Sequence, residues 1–350
     1  MQMRPSGCRP SIFVGIVFLV GAVFAIPIAG SIGCSRAETA ARRGGGAPAT
    51  VAEAAAALDL TKLPLVEGAA EPEIRSVGSL NYNAPGKVAE VFATHRKQLI
   101  DQGWQQLPDA QSTDQFASAT FARDGFLLAV SVFSAGMPGV VSVAITHLGN
   151  VDLEKLPVPG NAELVFPGAA SVAFVTDMPP EPALEECRKL LGEKGWQPYG
   201  TASQTLVLKQ NAVRLTARIA AAAGQAGKTM VTYSAALMSA DLPAPADAEG
   251  VQYHDQTAEL MFDTTATPDQ IVDFYRQTLA KTGWEATTDR PIKIDSKQRL
   301  ILRNPSHDLL TLEIDEVANK RRVRVQYQSA AEIDELDRQL KALRKLKPDG

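Results

Sequence analysis

Three tryptophans, each preceded by glycine and each closing a similar hexapeptide, constrain this chain more than any other feature. They end the runs LIDQGW at Trp104, LGEKGW at Trp196 and LAKTGW at Trp284, and so lie 92 and 88 residues apart. A second marker keeps the same period, the Asp-Leu pairs Asp59-Leu60, Asp152-Leu153 and Asp241-Leu242. A period of about 90 residues is too long for a solenoid unit and long enough for a small domain with its own core. Three copies of one module are therefore expected, at residues 58–150, 151–239 and 240–329.

The Gly-Trp pair has a physical meaning. If the glycine is the left-handed residue that ends a helix, the tryptophan follows it, and Leu99, Leu191 or Leu279 occupies the place that meets it in a Schellman cap. Gly103, Trp104, Gly195, Trp196, Gly283 and Trp284 are accordingly expected to be structural helix caps. Upstream of each cap lies an apolar strand, Ser79–Tyr82, Val172–Val175 and Glu259–Phe262, and the helices are expected to start near Gly86, Glu181 and Pro268. Proline suits such a start because its missing amide hydrogen costs nothing there. Downstream, Val213–Ile219, Leu310–Asp315 and Val323–Tyr327 alternate apolar and polar residues, the period of a half-buried strand. The predicted fold is α+β: three tandem β-α-β-β-β modules, each an antiparallel sheet with one helix packed on one face. Ala162–Phe166 is a candidate for a short extra strand in front.

The N-terminus begins with Arg4 and Arg9 and runs into the apolar stretch Ile12–Ile26, then into small residues, the order of an export signal. Ser31-Ile32-Gly33-Cys34 resembles the lipobox of bacterial lipoproteins, with Ser31 standing where that motif favours Leu, and makes Cys34 the lipidation candidate. An uncleaved anchor is the other outcome, because Ile12–Ile32 matches the roughly 20 residues that span a bilayer. Residues 1–33 are thus a signal peptide or a membrane anchor, and in both cases the remainder lies outside the cytoplasm. The Ala- and Gly-rich residues 34–57 are expected to form a flexible tether. Ile333, Leu336, Leu340 and Leu343 recur at helical spacing, so residues 330–350 are expected to form an amphipathic helix packed on the third module.

No constellation in the sequence carries chemistry. His95, Cys187 and Tyr275 each sit nine residues before a tryptophan, and a slot filled by three such different side chains reads as a packing site. His147, His254 and His307 lack zinc-type spacing, and no nucleophile stands out with its base. The run AAAGQAGKT, Ala221–Thr229, mimics a phosphate loop, but Met230–Tyr233 after it reads as strand where a helix is required, so it is expected to be a hairpin turn and no nucleotide is expected. Lys320-Arg321-Arg322 with Arg324 is expected to pair with Glu313 and Asp315 across strands. With a net charge of −4, no nucleic acid is expected either. Catalytic residues, metal and cofactor are all expected to be absent.

The pattern Tyr275-x-x-x-Leu279-x-x-x-Gly283-Trp284 after a strand, joined to the near-lipobox at Cys34, resembles the uncharacterised helix-plus-sheet repeats of bacterial envelope lipoproteins. The outline is also loosely similar to the helix-grip domains of the outer-membrane assembly lipoprotein BamC. Repetition without a shared polar site points to a non-enzymatic protein of the cell envelope, on the periplasmic side or surface, held to the membrane by its N-terminal lipid or helix. Its modules are expected to serve as a scaffold or as binding surfaces for an envelope protein or cell-wall partner. The alternative is a cryptic hydrolase or small-ligand binder with its site in a cleft between modules. Cys34→Ala is expected to abolish incorporation of radioactive fatty acid; unchanged labelling rules out the lipoprotein and leaves the anchor.

Overall fold

The computed structural model describes residues 47–225 and 227–346, which fall in the compact unit Glu38–Gly350. The signal or anchor segment, Cys34 and the tether up to residue 46 lie outside the described residues. Among the described residues no helix is long and apolar enough to cross a membrane.

After a short helix α1 (Val51–Ala57), the first module contains β1 (Ile74–Arg75), β2 (Ser79–Pro85), α2 (Val88–Asp101), β3 (Gln105–Gln106), β4 (Gln111–Ser112), β5 (Phe116–Arg123), β6 (Phe126–Ser134) and β7 (Val140–Gly149). Its sheet runs β1-β2-β7-β6-β5-β3, with β4 also on β5. The second comprises β8 (Glu163–Pro167), β9 (Ser171–Thr176), α3 (Pro180–Glu193), β10 (Gln197–Ala202), β11 (Thr205–Gln210), β12 (Val213–Ala221) and β13 (Thr229–Leu237), in the order β10-β11-β12-β13-β9-β8. The third comprises β14 (Glu249–His254), β15 (Glu259–Thr264), α4 (Pro268–Ala280), β16 (Glu285–Ala286), β17 (Ile292–Ile294), β18 (Lys297–Arg303), β19 (Leu309–Val317) and β20 (Lys320–Gln328). Its sheet repeats the first, β14-β15-β20-β19-β18-β16 with β17 on β18, and α5 (Ala330–Leu346) follows.

The expected β-α-β-β-β unit is therefore incorrect. Each module places two strands before its helix and at least four after it, giving antiparallel sheets of seven, six and seven strands. The strands missed lie at the sheet edges. β8 is the extra strand anticipated at Ala162–Phe166, whereas Gln105–Gln106 and Glu285–Ala286 are two-residue strands with no alternation to detect. A strand that buries neither face leaves no apolar period in the sequence.

The helices α2, α3 and α4 each cover one face of their sheet. Leu80, Leu99, Trp104, Phe121 and Val130 build the first core, Phe174, Leu191, Trp196, Leu215 and Val231 the second, and Leu260, Phe262, Leu279, Leu312 and Val325 the third. The helices end alike. The amides of Trp104, Trp196 and Trp284 donate to Leu99, Leu191 and Leu279 carbonyls at 3.0, 3.1 and 3.2 Å. Those of Gly103, Gly195 and Gly283 donate to Ile100, Gly192 and Ala280. This double bond with φ of 85°, 88° and 81° at the glycines is the Schellman arrangement.

Two other expectations change. Residues 47–57, read above as the end of a tether, are folded. Thr50 and Glu53 form a reciprocal capping box at the start of α1, and Ala49 and Ala54 are buried in the second core. Asn150 and Asn211 clasp the segment, the first through its amide to the Ala47 carbonyl at 3.1 Å, the second to the Pro48 carbonyl at 2.6 Å. Alanines sealing a seam need no large apolar residue, which is why periodicity missed them. The C-terminal helix, expected to pack on the third module, instead holds Leu336 and Leu340 at 49% and 44% exposure.

Gly103→Ala is expected to destabilise the fold by about 1–2 kcal/mol, the cost of a side chain in left-handed backbone. Added Cβ would meet nothing closer than Arg123 Cδ at 3.9 Å, so the penalty is conformational. Denaturant unfolding measures it, and an unchanged midpoint would show that the cap is dispensable.

Candidate functional site

The slot occupied by His95, Cys187 and Tyr275 is fully buried in all three modules. It does one job with different chemistry. In the first module the Val66 amide donates to Tyr82 Oη, Tyr82 is hydrogen-bonded to His95 Nε2, His95 Nδ1 pairs with Gln98 Oε1 at 2.8 Å, and Gln98 Nε2 donates to the Pro64 carbonyl at 3.2 Å. Burial pushes the His95 pKa down and that of Tyr82 up to about 12, so both stay neutral. In the second, Cys187 Sγ lies 3.5 Å from Tyr233 Oη, which donates to the Pro157 carbonyl at 2.7 Å. In the third, Tyr275 Oη donates directly to the Pro243 carbonyl at 2.8 Å. Each lead-in segment thus delivers one proline carbonyl to a side-chain donor of its module. The repeated sequence signal was the proline following each Asp-Leu pair.

The polar side chains gathered between modules form the candidate site. A bulge between Pro198 and Gly200 on β10 turns Tyr199 out of its own module and into the third core. Tyr199 Oη donates to the Leu242 carbonyl at 2.9 Å. Beside it Lys209, 5% exposed, bonds Asp241 and the Leu242 carbonyl, with its ammonium 4.9 Å from the Tyr199 ring centre. From the other module Tyr253 stacks at 5.6 Å from Tyr199 and donates to Asp255, whose same oxygen accepts from Ser239. Between these groups opens a cleft of ≈ 270 Å³ at the junction of β10–β12 and β14. Val207, Arg214 and Thr216 line one wall; Val251, Gln252 and His254 line the other.

The remaining sequence candidates, His254 apart, lie elsewhere. The Gly-Lys-Thr is the turn between β12 and β13, where the Ala222 amide donates to the Lys228 carbonyl and a strand follows at Thr229. Lys228 reaches Asp177 at 3.6 Å. Arg324 and Arg322 stand opposite Glu313 and Asp315 as expected, but their ion pairs go to β15 on the other side, Arg322 to Asp263 at 3.0 Å and Arg324 to Glu259 at 3.5 Å, while Glu313 is taken by Arg299. His147 packs edge-on against Trp104 and Phe126, and burial pushes its pKa down to about 4. His307 is exposed, and His254, also exposed, is the one histidine that stands in the cleft wall among the described residues. Among the described residues no three His, Cys, Asp or Glu side chains converge as a metal site would need.

Comparison with known proteins adds one short likeness. Residues 245–306, from just before β14 to just after β18, match a family described as START domain-like. The match is in keeping with a sheet gripping one helix and not with a β-α-β-β-β unit. No curated protein and no solved structure matches.

Cys187 is expected to resist alkylation. Burial pushes its thiol up to about 11, so at pH 8 little reactive thiolate exists and none is reachable. Iodoacetamide should modify the Cys187 peptide about 100-fold more slowly in native protein than in urea; similar rates by mass spectrometry would mean that the slot opens readily.

Proposed function

We propose that this chain is a non-enzymatic binding protein of the cell envelope, held to the membrane through Cys34 or the apolar segment before it, with its modules docking a folded partner. The observation that carries this is a contrast between equivalent strands. β8 and β14 each open a module and each pair with the strand that leads into the helix. On β14, Val251 is 6% exposed because the strand rests against β10 of the preceding module. On β8, Leu164, Val165 and Phe166 are 43%, 50% and 54% exposed. Three consecutive large apolar residues on an open edge mark a surface that something covers. Pro167 and the register shift between Leu164 and Phe166 oppose ladder extension by a free strand, so the cover is a flank of another folded protein that meets these side chains.

The three filled cores point the same way. In each, a donor at or beside the helix slot is committed to a lead-in carbonyl: Gln98, bonded to His95, in the first, Tyr233, beside Cys187, in the second and Tyr275 itself in the third. The resemblance to envelope lipoprotein repeats and the charge order of Arg4, Arg9 and the apolar run support the location.

A photoreactive benzoyl-phenylalanine at position 166 of the full chain, irradiated in intact cells, is expected to give one discrete protein adduct, weakened by Val165→Lys. The same probe at exposed position 225 should give none. Equal background at both positions would remove the docking role.

A further inference from the structure

The second sheet carries an arginine that the fold does not use. Lys209 on β11 and Arg214 on β12 are direct cross-strand partners, so both project from the face turned away from α3. Like charges opposite one another destabilise a sheet. Lys209 is neutralised by Asp241 from the lead-in of the third module. The Arg214 side chain has neither ion pair nor hydrogen bond among the described residues, and it is half-buried in the wall of the junction cleft. Three outward arginines of the third sheet are paired, Arg299 with Glu313, Arg322 with Asp263 and Arg324 with Glu259, while Arg303 there and Arg218 farther along β12 are exposed to water, as Arg214 in the cleft wall is not.

Cleft chemistry narrows what would complete this group. Its lining contains no carboxylate among the described residues, and the two nearest, Asp241 and Asp255, are already bonded by Lys209 and by Tyr253 with Ser239. A guanidinium offers a planar fork of donors that fits a carboxylate two-to-two. Phosphate sites draw on several cations or a nest of free backbone amides. Here β12 is paired on both sides, Arg214 with Lys209 and with Ala236, and its amides are taken. Val207 and Val251 give an apolar floor, while Thr216 and Gln252 add neutral donors beside the arginine. At ≈ 270 Å³ the cleft has room for a small organic molecule.

We propose that the cleft between the second and third modules binds a small monocarboxylate with an apolar body, its carboxylate forked on Arg214 and its body on Val207 and Val251. The site is independent of the docking role of β8, which lies at the opposite edge of the same sheet. Both walls are needed, since Arg214 comes from one module and Val251 from the next.

Ligand-observed saturation-transfer NMR on the full chain tests this with benzoate as the probe. Saturable transfer to benzoate is expected, with at least a five-fold loss in Arg214→Gln and in Thr216→Phe, which fills the cleft without touching the arginine. Benzamide, the uncharged isostere, should show no saturable transfer. Both variants alter the outward face, and unfolding midpoints within error of the parent establish that they fold; a further variant, Arg214→Lys, keeps the charge without the fork and should bind between parent and Gln. The proposal is overturned by no saturable transfer from benzoate, by equal transfer from benzamide, by full binding in Arg214→Gln, or by phenyl phosphate binding more tightly than benzoate.

Discussion

The hydrogen bond from each Gly-Trp amide back to a leucine carbonyl, three residues before the helix cap, sets both the core and the path of the chain. A left-handed glycine reverses the backbone within one residue, which swings the tryptophan ring under the helix it has just ended. The next residues then begin β3, β10 or β16, strands at the far side of the sheet from the one that led into the helix. The helix therefore crosses the whole sheet, and the strands that follow must return toward β2, β9 or β15 as a meander. A helix one turn longer would deliver the chain past the edge and leave Trp104, 2% exposed, in water.

A sheet gripped on one face leaves the other to be covered or wetted, and the modules differ mainly there. Between the first two, the seam is sealed by the 47–57 segment, where Ala49 and Ala54 fit because they are small. Arg123 ties the same segment down through the Ala57 carbonyl while lying 5.0 Å from the Trp104 ring centre. Between the second and third, long side chains take over. Tyr199 enters the neighbouring core and Lys209 buries an ammonium against Asp241, a pairing that would leave an uncompensated charge if either partner were lost.

The sequence revealed what repeats and concealed what varies. The caps were legible because a glycine and a tryptophan at fixed spacing leave few alternatives, and the central strands because Val213–Ile219 alternates cleanly. The edge strands were not, since two-residue ladders such as Glu285–Ala286 carry no period. Alanine misled in the tether, although Thr50 and Glu53 stood at capping-box spacing. The slot of His95, Cys187 and Tyr275 was legible as buried, but its service to Pro64, Pro157 and Pro243 was not, because the donors differ in every copy. For the junction cleft, alternation showed only that Arg214 points outward. That it points at another module depends on a bulge at Tyr199 and on the approach of β14, neither of which has a local signature.

The same edge position serves opposite ends in successive modules. On β14 it is spent on internal assembly, with Tyr253 stacked on Tyr199 and Val251 enclosed. On β8 larger apolar side chains occupy an edge that pairs with no further strand among the described residues, where Glu163, Leu164, Val165 and Phe166 are all exposed. If β8 served only to finish its sheet, polar residues there would cost the fold little and would spare it an aggregation hazard. Three consecutive large apolar residues held exposed at that edge are best explained by an interface, and the bulge and proline beside them explain why the interface is made by side chains and not by a shared ladder.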